Sequence, residues 1–69
     1  MKYPPDIRSQ IEARAAFWAE MPEDIRRHRR VGWRQNDYPT DVRVAWCDWV
    51  DAAARDGRLP DALAQGVTL

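Results

Sequence analysis

A chain of 69 residues with 11 Lys+Arg against 11 Asp+Glu is formally neutral, so bulk charge alone does not attract it to nucleic acid. A single cysteine, Cys47, excludes a disulfide within the chain. Together with the one histidine, His28, it supplies too few ligands for a closed zinc site, which needs about four.

Pro4-Pro5 precede Asp6, and a helical pattern follows to about Glu20, with Ile7, Ile11, Ala15 and Trp18 recurring on one face. Arg14 interrupts that stripe and is expected to carry its charged head outward on an aliphatic stem. Phe17 lies off the stripe, so this helix is expected to meet more than one neighbour. Pro22 opens a second helix, about 22–30, with Glu23 and Asp24 in its first turn and arginines in its last. Ile25 and Val31 are its apolar anchors and Gly32 its left-handed stop. Residues 33–38 read as a connector containing Asn36 and Asp37.

Pro39 opens the longest helix, about 39–55, stopped by Gly57. Val42, Trp46, Trp49, Val50 and Ala53 share one face of it, a strong apolar stripe. Asp41, Asp48, Asp51 and Arg55 occupy the other side, and Asp51 stands four residues before Arg55 in the favourable acid-first order. Pro60-Asp61 starts a last helical turn to about Gln65, and the tail Val67-Thr68-Leu69 is compatible with packing or fraying.

The fold class that follows is all-α: one interaction domain over 1–69, a short helical hairpin-type subunit with three main helices and a C-terminal turn. So short a chain buries only about 60% of its unfolded surface. Four tryptophans, Trp18, Trp33, Trp46 and Trp49, can each bury about 150–250 Å². A homodimer with its seam on helices one and three is therefore expected. No apolar run approaches the about 20 residues of a membrane span, and Lys2-Tyr3-Pro4-Pro5 does not open an apolar leader. With a free thiol, these features fit a cytoplasmic protein without a membrane partner.

The neutral total conceals a separation of charge. Residues 1–25 hold three basic and five acidic groups, residues 26–34 five arginines and no acid, and residues 35–69 three basic and six acidic groups. Five arginines exceed what capping a helix requires, so Arg26, Arg30 and Arg34 are candidates for phosphate contact or for docking an acidic protein surface. Trp33 and Tyr38 flank the polar connector beside them, and interface hot spots are enriched in Trp, Tyr and Arg. Trp46 is a further candidate anchor, although its stripe suits a core or a seam.

Catalysis has little support. His28 and Cys47 are the one conceivable base and nucleophile, and no phosphate loop, nucleophile elbow or metal-ligand spacing accompanies them. No enzyme activity, cofactor or metal is expected. The second helix, connector and third helix resemble a helix-turn-helix in outline. A recognition helix should present Arg, Lys, Asn or Gln to the major groove, whereas this one presents Asp41, Asp48 and Asp51. Direct DNA binding, or another modulation of transcription, is the alternative reading.

The stretch Arg30-Val31-Gly32-Trp33-Arg34-Gln35-Asn36-Asp37-Tyr38-Pro39, continuing into Ala45-Trp46-Cys47-Asp48-Trp49-Val50-Asp51, resembles the quorum-sensing anti-activators of temperate Pseudomonas phages, and the likeness runs the whole length of the chain. The resemblance implies a helical homodimer in the host bacterial cytoplasm. Its implied partners are the DNA-binding domain of LasR, a LuxR-type transcription activator, and PilB, the type IV pilus assembly ATPase. Blocking PilB would bring superinfection exclusion. The acidic Asp37, Asp41 and Asp48 suit a basic DNA-binding domain, and the arginines a second, more acidic partner.

Overall fold

The computed structural model describes residues 7–69, in which four α-helices and one 3-10 turn follow each other without a strand: α1 (Gln10–Glu20), α2 (Glu23–Arg26), the turn Gln35–Asp37, α3 (Thr40–Arg55) and α4 (Asp61–Ala64). The Pro4-Pro5-Asp6 opening lies outside the described residues. Ser9 caps α1 by accepting the Glu12 N–H at 3.2 Å, and the Glu12 carboxylate accepts the Arg8 N–H at 3.0 Å. Two amides without intrahelical partners are thereby satisfied.

Because the helix begins only at Gln10, Ile7 does not belong to its periodic face. The stripe drawn through Ile7, Ile11, Ala15 and Trp18 holds only in part: Ile7 and Trp18 are buried, but Ile11 is 76% exposed and Ala15 is exposed, and Ala13 and Phe17 turn inward instead. Phe17, expected to sit off the stripe, is its centre. It meets Trp18 at 4.9 Å, Trp46 at 5.1 Å and Trp49 at 6.0 Å between ring centroids, each edge to face. Such pairs contribute about 0.5–1.5 kcal/mol beyond area burial.

The face of α3 is as the periodicity predicts, with Val42, Trp46, Trp49 and Ala53 buried and Val50 packed at the margin. Gly57, at φ 79°, ends the helix. The Arg58 N–H reaches the Ala53 carbonyl at 3.0 Å and the Gly57 N–H the Ala54 carbonyl at 3.1 Å. This paired closure needs a left-handed residue, which glycine adopts without a Cβ clash. The chain then drops Leu59 into the core. The Asp51–Arg55 pair forms at 3.0 Å on the surface, where such a pair contributes about 0.3–0.5 kcal/mol.

The C-terminal tail packs. Val67 and Leu69 are buried, and Arg14 clasps the segment between them. Its Nε–H donates to the Thr68 carbonyl at 2.8 Å, and Gln10 Oε1 accepts from the Thr68 N–H at 3.3 Å. Arg14 therefore holds the tail rather than pointing free into solvent.

The seam expected on helices one and three is likewise revised. Those faces close on each other within one chain, and three of the four tryptophans are buried there. The aromatic surplus that called for a partner subunit is absorbed internally.

Glu20, at the end of α1, ties this hairpin shut. Arg58 donates to both carboxylate oxygens, to Oε1 at 3.0 Å, and the Trp49 indole N–H donates to Oε1 at 3.1 Å. The Arg58 hydrogen bonds hold the Glu20 carboxyl below its ordinary value, helped by Trp49 and the Arg58 charge and opposed by burial. A carboxyl lowered in the folded state contributes stability above its unfolded pKa and loses it as pH falls through the folded value. With both side chains more than a third exposed, the contribution is at most about 1 kcal/mol. Urea midpoints should fall as pH drops below the ordinary carboxylate range, and by less in Glu20→Gln. The same acid dependence in both chains would remove Glu20 from this role.

Candidate functional site

Two surfaces carry the candidate residues, and local structure explains how they are divided. The first is the loop after α2. That helix has only four residues, so the arginines do not form one helical stripe. Isolated turns carry the chain on, with Arg29 N–H donating to the Arg26 carbonyl at 3.1 Å and Trp33 N–H to the Arg30 carbonyl at 3.3 Å. Gly32 sits in the latter turn at φ 85°. Val31, expected as an anchor, is instead fully exposed, because the turn at Gly32 throws it outward.

Each arginine has its own local chemistry. Arg26 pairs with Glu23 at 3.0 Å within α2. The Arg30 guanidinium turns back to the Arg27 and Arg29 carbonyls, at 2.8 and 3.0 Å, and lies 6.0 Å from the Trp33 ring centroid. Arg29 stands over Trp18 at 6.0 Å. Arg34 donates its backbone N–H to the Asp37 carboxylate at 2.8 Å, which fastens the 3-10 turn. Asp37 is thus a turn-forming acid with one oxygen already engaged.

Tyr38 and Trp46 need correction as partner anchors. Tyr38 is 6% exposed and Trp46 2%. The Tyr38 ring packs against Trp18 and Trp33, at 5.4 and 5.1 Å. Its hydroxyl donates to the Arg30 carbonyl and accepts from the Arg30 N–H, both at 3.2 Å. Pairing of these backbone groups with Tyr38 pins the arginine loop from beneath. Trp46 is held by Phe17 and by the stacked ring of Trp49 at 5.7 Å. Trp33 alone among the aromatic candidates reaches solvent, at 43% exposure.

The second surface is the outer side of α3. At helical spacing Asp41, Val44, Asp48, Asp51 and Arg55 run down one side, opposite the buried stripe, and all are exposed. Asp41 Oδ1 accepts the Val42 N–H at 3.0 Å, in the first turn where a negative charge is favoured. Asp48 enters no ion pair among the described residues. Val44, an exposed apolar side chain amid these acids, was not singled out by the sequence reading. Its position off the apolar stripe was the available signal.

The helix-turn-helix outline fails at its first element, since the predicted helix over 22–30 contracts to Glu23–Arg26. Cys47 is exposed. Among the described residues no group of three or more His, Cys, Asp or Glu side chains gathers as a metal site requires, and no helix is long and apolar enough to cross a membrane. Comparison of the chain with protein families, curated proteins and solved structures finds no match.

Proposed function

We propose that this chain is a stoichiometric inhibitor of host proteins that acts by occlusion, with the acidic side of α3 as its principal docking face. The reading rests on one observation: residues 26–34 carry five arginines with no acid among them, while Asp41 and Asp48 stand exposed on the outer side of α3. Asp41 and Asp48, with Val44 between them, match a basic surface that normally meets DNA phosphates. A LuxR-type DNA-binding domain is such a surface, and covering it would keep LasR from its promoter. The resemblance to phage anti-activators supports this choice of target.

The same resemblance names the pilus assembly ATPase PilB as a second target, for which Arg26, Arg34 and Trp33 on the basic loop offer charge and an aromatic contact. Opposite potentials would speed both encounters and make them sensitive to salt. The homodimer remains part of the proposal, with its seam on outer surfaces. Ile11, away from the α3 docking face, is the large apolar side chain exposed on α1.

Titration calorimetry with the purified LasR DNA-binding domain tests this reading, with sedimentation to weigh the free chain and the complex. Asp48→Lys should weaken binding about tenfold or more, since reversing a charge at an electrostatically matched interface replaces attraction by repulsion. Arg34→Glu should leave LasR binding intact and weaken binding to PilB. Unchanged affinity for LasR in Asp48→Lys would remove α3 from the interface, and monomer mass at micromolar concentration would remove the dimer. The competing reading, direct action on nucleic acid, requires a salt-sensitive mobility shift of bare duplex by the chain alone. An occlusive inhibitor of a toxin–antitoxin or anti-CRISPR type would use the same physics on another target and leave LasR untouched.

A further inference from the structure

Around Gly32 lies the most exposed large apolar side chain among the described residues. Val31, at the apex of the turn closed by the Trp33 N–H and the Arg30 carbonyl, is 105% exposed. Trp33 follows on the far side of the glycine, half-exposed, with its inner edge fixed by Tyr38 at 5.1 Å and an interplanar angle of 71°. Arg29 and Arg30 border the groove that Val31 and Trp33 line, and Arg34 borders the adjoining groove with Gly32 and Trp33. No acidic residue falls between Arg26 and Arg34, and the next acid, Asp37, is engaged by the Arg34 amide. One turn therefore carries an exposed aliphatic group, a half-exposed indole and flanking guanidiniums with no acid among them.

The anionic leaflet of a bilayer offers a partner for each of these groups: acyl carbon, an interface that favours tryptophan, and headgroup phosphates. We propose that the Arg29–Arg34 turn is a peripheral docking device for anionic phospholipid bilayers. Val31 and Trp33 enter the interface, while Arg29 and Arg34 rest on headgroup phosphates.

Two other partners fit less well. A nucleic acid gains nothing from a projecting valine, and base stacking needs an open ring face, whereas Arg30 already stands over the Trp33 ring. An acidic protein would need a pocket shaped to this convex tip in addition to its charge. The contact inserts one turn and is reversible, so it requires no membrane-spanning helix. It goes beyond the inhibitor reading and does not depend on it, although a bilayer and a second protein would compete for the same arginines.

Sedimentation of the full chain with vesicles tests the proposal. Vesicles of phosphatidylglycerol mixed with phosphatidylcholine should carry the chain down in low salt and release it in high salt, and phosphatidylcholine alone should leave it in the supernatant. Brominated acyl chains should quench tryptophan emission, since Trp33 is the exposed indole. Val31→Asp should bind about tenfold more weakly with an unchanged helical spectrum, because the side chain it replaces is fully exposed; Val31→Ser provides a milder second variant. Failure to bind the anionic vesicles overturns the proposal, as does a Val31→Asp chain that binds equally well, which would reduce the contact to adsorption by charge. Binding to polyglutamate but not to vesicles would reassign the loop to an acidic protein.

Discussion

Replacing Phe17 with alanine should unfold much of this protein at room temperature. The ring is fully buried and stands in edge contact with Trp18, Trp46 and Trp49 together. Truncating a buried phenylalanine costs about 3–5 kcal/mol, through lost transfer free energy and the cavity left behind. A chain of this length, at about 0.05–0.15 kcal/mol per residue, has roughly 3–10 kcal/mol in total. The loss is comparable with the whole. Urea titration followed by tryptophan emission should show a transition moved to very low denaturant, or absent. Phe17→Leu, which keeps most of the volume, should lose less than about 1.5 kcal/mol. A Phe17→Ala midpoint within about 1 kcal/mol of the parent would mean that the hairpin does not close on this ring.

The second large effect is expected at Tyr38, where two substitutions separate two roles. Tyr38→Ala removes a ring wedged against Trp18 and Trp33 and should cost about 3–4 kcal/mol. Tyr38→Phe keeps the ring and removes only the hydroxyl, which holds the Arg30 N–H and carbonyl. With two partly buried backbone groups left unpaired, the cost should be about 1–2 kcal/mol. Amide exchange at Arg30 should accelerate in the phenylalanine variant while exchange in α3 stays slow. A Tyr38→Ala chain as stable as the parent would restore Tyr38 as a candidate contact residue. On the structure described here, loss of partner binding by that variant should follow its unfolded fraction.

Buried Tyr38 and exposed Trp33 together make the arginine loop a supported surface element. Tyr38 fixes Arg30 from below, Gly32 turns the chain, and Trp33 braces against the Tyr38 ring. A loop held in this way presents Val31, Arg29 and Arg34 with less ordering entropy to lose on contact. This applies equally to an acidic protein or a bilayer as partner. The acidic side of α3 is rigid for a different reason, since it is the reverse of a helix whose other side is the core.

The amino-acid order alone was enough for α3. Sixteen residues with one continuous apolar stripe, a proline before them and Gly57 after them leave little freedom, and the buried face and the Asp51–Arg55 pair follow from the 3.6-residue period. The neutral total with its basic block was equally legible, because charge is a property of composition and position. Long-range packing settled the rest. Whether Phe17 or Ile11 faces inward depended on the tryptophans of a helix some thirty residues away. Whether Tyr38 is an anchor for a partner or for its own loop depended on the Arg30 backbone lying within reach of its hydroxyl. Neither Glu20 with Arg58 nor Arg14 with Thr68 could be paired by spacing, since the partners are separated by 38 and 54 residues. Periodicity governs what a helix does with its own neighbours, whereas the aromatic core determines which of those faces remains for another molecule.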